Sequence, residues 1–595
     1  MPLVSRGVKG PIQGHVLRLA ILVSAALFAT AAAAEDMEAP RVILSQVNWA
    51  EAAASLSDHG IDTPEAEFAR INAQTGKRFP AIATSSVPVL LPIDIEAFRK
   101  DAAAGAADIA TSDKYFGPFQ PSKLFLPGPA GYTATFFVNR GNGLDFTFPK
   151  PVEIEITGGA FVYDLDAPDH QEVFPAKDLE DQFPGIKRIL REAHVRYTFE
   201  RFGVPYVVAI QCYDQPRSSR YLSCKEADPA AVKFLRMLRT AGGTPMDIAQ
   251  PHIDLTRPAV KSDFTYYGPG NLIPNSGWKQ MPGRADYHVY ARMRSPIADA
   301  PSYVKSQSFM PWGDCYRGRH SGRLGRKGSD YACSVNGIPL TFDESAAVNW
   351  TYPWRDNFCE LRDFLVGQCP GGYGHQGEDI RPANCVMFND GSDRCEPYQH
   401  NVAAVRDGVI WRSPGNIGLY IDVNTKDDFA RFRYLHMNPN FMDADGWFSG
   451  RKVSEGEIIG KVATWGDYEK GTSYHIHFNI QVFTKVGWVW VNPYMTLVAA
   501  YERQIGGRGT EIKPGDPAPP VPVKLPVIQH PTPPPETPAA AKEAAPQAEK
   551  SEPPKAVDVK PPAIVRAEPH KASADEEKPR KRRHARRKHR KHEDD

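Results

Sequence analysis

"TSYHIHFNIQV", residues 472–482, reads as a strand with two histidines on one side. Side chains alternate along a strand, so residues two apart point the same way. Phe478, Ile480 and Val482 then share one face, and His475, His477, Asn479 and Gln481 share the other. The first face calls for a core beneath it. On the second, two neighbouring imidazoles each raise the cost of protonating the other. Neutral imidazoles suit a metal ligand or a general base. Taken alone, the pair fits a polar strand face turned to solvent equally well.

Partners for the pair lie upstream. In "GGYGHQGEDIRP" (371–382), His375 and Asp379 are four apart, a spacing that lets imidazole and carboxylate face the same way. Both groups are good ligands for a divalent cation. Gly377, between them, leaves room for a metal or substrate to approach the backbone. In "RFRYLHMNP" (431–439), Phe432, Tyr434 and His436 alternate, which places His436 at the end of a strand. Each element is weak alone. In this order, and within about a hundred residues, they make a specific signal. The intervening "AAVRDGVI" (403–410) and "GLYIDV" (418–423) read as strands, and "KVSEGEIIGKV" (452–462) as a hairpin or tight corner turning on Gly456 and Gly460.

The pattern resembles the lysostaphin/LytM-type zinc metallopeptidases. These carry a His-x-Gly-x-Asp motif, a Tyr-x-His strand, a glycine-rich corner and a closing His-x-His-Phe strand. The resemblance covers roughly residues 346–500. It implies an antiparallel β-sheet peptidase domain, with His375, Asp379 and His477 as ligands of Zn2+ and His436 and His475 as the catalytic pair. Three protein ligands leave a tetrahedral position open, as a catalytic zinc requires, whereas a structural zinc is closed by four. Two features depart from the family. Glu378 stands where an apolar residue is usual, and "ANCVMFNDGSDRCEPYQH" (383–400) and "MDADGWFSG" (442–450) are insertions placed to reshape a substrate groove. The resemblance further implies hydrolysis of peptide cross-links in peptidoglycan, with its peptide stems as partner and no specific nucleic acid. Two other readings stand beside it: a non-catalytic LytM-type module that activates a cell-wall amidase, and a general secreted metalloprotease. Such modules typically lose zinc or catalytic residues, and all five are present here.

The rest of the chain sets the context. At 595 residues it exceeds one ordinary domain, and a hydrophobic content of 42% supports sizeable cores. The formal net charge of +1 averages unlike segments. Arg6, Lys9 and Arg18 precede the apolar run "LAILVSAALFATAAAA" (19–34), the pattern of a secretory signal cleaved after Ala34. No later apolar run is long enough to span a bilayer. The eight cysteines lie between residues 212 and 395, an even count that reads as disulfides in an exported protein. Pairing in sequence order closes short loops: Cys212 with Cys224, Cys315 with Cys333, Cys359 with Cys369, Cys385 with Cys395. Location is therefore expected to be periplasmic or secreted.

The expected organisation is multidomain and mainly β: a signal peptide (1–34), a mixed helix and strand region (35–115), a β-rich region (116–345), the peptidase domain (346–502) and a disordered tail (503–595). A helix is predicted over 63–76, capped by Thr63, with Pro64 in its first turn and Gly76 at its end. A second is predicted from Asp228, as cap, to Gly242, as stop. "TATFFV" (133–138), "VEIEIT" (152–157) and "VPYVVAIQCY" (204–213) read as strands. The basic run "CYRGRHSGRLGRK" (315–327) reads as a solvated loop. From about residue 513 the chain is Pro-rich, and it ends in "KPRKRRHARRKHRKHEDD" (578–595). Behind a signal peptide, such a block is suited to loose contact with anionic envelope polymers or a membrane surface.

Overall fold

The computed structural model describes residues 37–517, apart from 57–62, 106, 139–151, 166–171, 192–193, 213–222, 275, 300, 307–313, 318–330, 336–337, 340–346, 363, 383–396, 413–419, 467–468, 470–471 and 514. The predicted signal segment, most of the basic run, the bulk of the first insertion and the Pro-rich and basic tail lie outside the described residues.

Stretches rich in β-branched and aromatic residues build an antiparallel sheet in the N-terminal half. Its strands are β1 (Phe119–Gly128), β2 (Gly131–Val138), β3 (Val152–Gly159), β4 (Glu172–Pro175), β5 (Lys187–Arg191), β6 (His194–Arg201) and β7 (Val204–Gln211), in the order β1-β2-β3-β7-β6-β5-β4. The three predicted strands are therefore adjacent, with Ile156 of β3 opposite Ala134 on one side and Val208 on the other.

Helix α1 (Pro64–Thr75) forms as its sequence predicts: Thr63 is the N-cap, its hydroxyl accepting the Ala66 N–H, and Gly76 is the C-cap. Helix α2 (Cys224–Arg236) corrects the second expectation. Ser223, not Asp228, is its cap, in a capping box with Glu226, and Cys224 is bonded to Cys212. A reciprocal box satisfies two backbone donors and so outcompetes a lone Asp. The Asp228 carboxylate instead accepts from Arg188 and Tyr197 of the sheet. Gly242 ends a strand, Leu238–Gly242, paired with Val89–Pro92. Phe234 of α2 packs edge-on against Phe119 and Phe136, at 5.0 and 5.4 Å between ring centroids.

A second antiparallel sheet carries the predicted site. Its strands are β8 (Ser302–Val304), β9 (Glu378–Pro382), β10 (Gly408–Trp411), β11 (Tyr420–Asn424), β12 (Ala430–Leu435), β13 (Lys452–Val453), β14 (Ile476–Thr484) and β15 (Gly487–Val491). The order is β8-β9-β14-β12-β11-β10-β13, with β15 pairing the far half of β14. β8 enters this sheet from upstream of residue 346. Every residue of β14 is buried. Phe478, Ile480 and Val482 sit among Ile421, Val423, Phe432 and Tyr434, all at zero exposure. Burying one such side chain contributes about 1.5–3 kcal/mol. Helix α3 (Tyr494–Ile505) follows β15 and ends at Gly506 in the left-handed conformation, φ +66°.

The two sheets touch. Arg431 of β12 pairs with Glu155 of β3 at 2.7 Å, and the Trp488 indole N–H of β15 donates to Thr157 Oγ1 at 3.1 Å. Cys359 and Cys369 are bonded, as are Cys212 and Cys224, both as predicted. Cys315 and Cys333 stand directly opposite one another on paired strands, with their side chains outside the described residues. Cys385 and Cys395 lie outside them altogether. No helix among the described residues is long and apolar enough to cross a membrane.

Candidate metal centre

Strand register brings the motif residues together. In the β9–β14 pair, Asp379 stands directly opposite His477, so their side chains share a face. His375 precedes β9 and is anchored by its own backbone: its N–H donates to Glu360 O at 2.8 Å, and its carbonyl accepts from Cys359 N at 3.0 Å. Gly377 is needed here for a different reason from the one its sequence position suggests. A Cβ at this residue would lie 2.2 Å from the Phe478 carbonyl oxygen and 2.9 Å from Asn479 Nδ2. The glycine lets the loop close onto β14; it does not open space for a ligand. His436 leaves β12 in a left-handed conformation, φ +74°, which turns its ring back toward the cluster. His475 sits one residue ahead of β14 and is wholly buried.

Distances define the cluster. His375 Nε2 lies 2.8 Å from His477 Nδ1 and 3.4 Å from Asp379 Oδ1, and His477 Nδ1 lies 3.0 Å from Asp379 Oδ1. His475 Nε2 is 3.3 Å from the same carboxylate oxygen. The His436 ring centroid is 4.6 Å from that of His475 and 6.1 Å from that of His477. All five residues of the predicted set are therefore assembled in one place.

Backbone carbonyls orient the rings. His375 Nδ1 faces Asn357 O at 2.9 Å, His436 Nδ1 faces Trp465 O at 2.7 Å, and His475 Nδ1 faces Ser473 O at 2.9 Å. A carbonyl only accepts, so each Nδ1 carries a hydrogen, and in the neutral ring the lone pair is then on Nε2. Sequence reasoning did not find Asn357, Trp465 or Ser473. Each offers its ring a backbone oxygen, which any residue type supplies, and the Ser473 hydroxyl lies a further 3.1 Å from His475 Nδ1.

Burial and mutual repulsion disfavour charge on His477 and His436. His477 is pushed down to about 4, first by burial and then by the nearby His375 ring. His436 is held well below the ordinary histidine range by burial, with His475 and His477 adding to the effect. Burial opposes charge on Asp379, but the surrounding His375 and His475 rings win and hold its carboxyl well below the usual range. An ionised carboxylate among imidazoles is a donor set for a divalent cation.

The fit to zinc can be tested on distances. Zn–N and Zn–O bonds near 2.0–2.1 Å in a tetrahedron place ligand atoms about 3.3 Å apart. The His375, Asp379 and His477 atoms stand 2.8, 3.0 and 3.4 Å apart. They form a group of potential metal-holding residues, all buried. Asp379 Oδ2 is buried without a hydrogen-bond partner among the described residues. The donor set fits.

No family model matches this chain, and no curated protein matches it. Among solved structures it is similar to a protein assigned as a glycyl-glycine endopeptidase LytM from Ruminococcus gnavus. That match has 22% identity over 23% of this chain and 52% of the other, with a TM-score of 0.17. It is also similar to the antimicrobial peptidase lysostaphin from Staphylococcus simulans, at 21% identity over 27% of this chain and 54% of that one, with a TM-score of 0.17. A third similar structure is CbpA from L. salivarius REN, at 22% identity over 24% and 86% of the two chains, with a TM-score of 0.14. The first two matches span about half the length of those proteins.

Proposed function

We propose that this chain is an exported zinc metalloendopeptidase that hydrolyses peptide cross-links of peptidoglycan. The observation that carries the reading is the convergence of His375, Asp379 and His477, with His436 and His475 beside them, in the residue order of the LytM-type motifs. Zinc, when bound, supplies a Lewis acid that lowers the pKa of a water to about 7 and polarises the scissile carbonyl. His375 Nε2, Asp379 Oδ1 and His477 Nδ1 would hold it. Three protein ligands would leave room for the reacting groups.

His436 and His475 handle protons. Each has Nδ1–H tied to a carbonyl, so the neutral form of each presents its lone pair on Nε2. The ring that takes the proton from the attacking water becomes the acid that returns it to the leaving amine. His436 is only half-buried, and so is the ring of this pair that substrate and solvent reach more readily. Segment 346–502, joined by β8 from upstream, would form the peptidase unit, with 35–115 and the rest of 116–345 as regulatory or targeting regions. Residues 503–512, expected in the tail, complete α3 and form the strand Arg508–Ile512, so the tail that would keep the enzyme near anionic envelope surfaces starts at about residue 513. The signal pattern and the two disulfides support a periplasmic or secreted location.

The test compares purified sacculi with casein as substrates for the zinc-loaded protein. Mass spectrometry should find peptide fragments released from sacculi, with new amino termini at cross-links. Release should stop on chelation and return with zinc. Casein degradation with untouched sacculi would favour a general protease. No turnover of either, with zinc bound, would favour the non-catalytic module.

A further inference from the structure

Glu378 departs from the family pattern, and it is wholly buried. Alternation along β9 turns it away from the face that carries Asp379. Its carboxyl oxygens accept the backbone N–H groups of Asn357 and Phe358, both at 3.1 Å, and its carboxyl hydrogen-bonds the side chain of Asp356. Asp356 is equally buried. It accepts from Gly270 N at 2.6 Å, Asn492 Nδ2 at 2.7 Å and Phe358 N at 2.8 Å. Taking two carboxyls out of water is costly, and an apolar pair of similar volume would pack more cheaply. The pair needs a reason beyond packing.

That reason lies between the two carboxyls. Asn357 has zero exposure and touches the cluster from behind at two points. Its carbonyl oxygen accepts from His375 Nδ1 at 2.9 Å, and its Oδ1 accepts the Asp379 backbone N–H at 2.9 Å. Its Nδ2 has no hydrogen-bond partner among the described residues, so the side chain is held by its oxygen alone. A hydrogen bond to the remote nitrogen of a ligand histidine fixes its tautomer and ring orientation and raises its basicity. One residue thereby sets both the ring of His375 and the strand position of Asp379. Its own backbone is clamped by Glu378, and the next residue by both acids.

We propose that Asn357 is the positioning residue of the histidine–aspartate cluster, and that the buried Glu378–Asp356 pair serves to hold Asn357 in place. The inference rests on the metal-binding reading above. The Asn357→Ala change deletes only the bond to Asp379. Glu378→Leu removes the clamp with an apolar side chain of similar size, and Glu378→Gln keeps one acceptor oxygen. Zinc affinity of the full chain is measured by competition with a chromophoric chelator, beside the visible spectrum of the cobalt-loaded protein and the melting temperature of the metal-free protein.

Asn357→Ala should bind zinc about 10–100-fold more weakly, with an altered cobalt spectrum and little change in metal-free melting. Glu378→Leu should lose at least as much affinity, and Glu378→Gln should retain more than Glu378→Leu. Should Glu378→Leu fail to fold, Asn357→Ala decides alone. Zinc affinity within two-fold of wild type, with an unchanged cobalt spectrum, would overturn the assignment. If the wild-type chain bound no zinc, the metal reading itself would fail and take this inference with it.

Discussion

At the scale of the residue, function depends on which imidazole nitrogen faces the cluster. His477 offers Nδ1 to the carboxylate, whereas His375, His436 and His475 have Nδ1 turned to backbone carbonyls. The proposed division of the rings into ligands and proton carriers, which rests on the resemblance of the motifs, makes two predictions. His477→Ala removes one of the three proposed ligands and should abolish most of the zinc binding expected of the wild type, about one ion per chain, as read by elemental analysis. Full occupancy in that variant would move the ligand set elsewhere. His436→Ala and His475→Ala should keep their zinc yet lose about 10²–10⁴-fold in turnover of a cross-linked peptide. Near-wild-type rates with zinc retained would remove both rings from the chemistry. The five side chains were legible in the sequence because strand alternation and short motif spacing are local properties. The groups that aim them were not. Asn357 reaches His375 from 18 residues upstream, and Trp465 reaches His436 from 29 downstream.

At the scale of the element, local rules worked where a single signal stood unopposed. Thr63, Pro64 and Gly76 bound α1, and "HIHFNIQV" alternates as written. They failed where two signals competed, as at α2, whose Ser223–Glu226 box starts the helix ahead of Asp228. The end of α3 shows a constraint that no motif announces. Glu502, with zero exposure, is bound by Arg257 through Nε at 2.8 Å and Nη2 at 2.5 Å, and it accepts the Gly509 N–H at 2.8 Å. The pair ties α3 to the segment that leads into Lys261–Tyr267, the strand running parallel to Arg508–Ile512. Removing one partner of a buried ion pair strands the other in low dielectric, at a cost of about 3–5 kcal/mol. Arg257→Ala should therefore destabilise the protein by about that amount in a urea titration, because the carboxylate left behind has no access to water. A loss below about 1 kcal/mol would mean that Glu502 is satisfied without the arginine.

At the scale of the whole molecule, the informative contact is the one between the two sheets. Arg431 and Glu155 are 276 residues apart, and nothing in the stretches that hold them announces that they pair. Around them Thr135, Glu153, Arg433, Gln481 and Trp490 line a cavity of about 100 Å³. Gln481 lies on the same alternating face of β14 as His477, so the N-terminal sheet covers ground that continues from the candidate site. Glu153 is the weak point of this contact. Its Oε1 is buried without a hydrogen-bond partner among the described residues, and burial, then the charge of Glu155, push its carboxyl up to about 8.

A raised acid pKa makes stability depend on pH in a definite direction. Near and below the unfolded value of 4.5, Glu153 is neutral in both states and costs nothing electrostatically. As pH rises from there toward 8, the unfolded chain gives up a proton that the folded one retains, and stability falls across that window. Glu153→Gln cannot titrate and keeps the shape. It should therefore melt close to wild type at pH 5 and clearly above it at pH 8.5, by on the order of 1–2 kcal/mol once screening by cavity water is allowed for. Calorimetry of both proteins at the two pH values measures the difference. A gain equal at both would show that the introduced amide acts by packing and that the acid is solvated; a gain confined to alkaline pH locates the titrating group in the contact between the sheets.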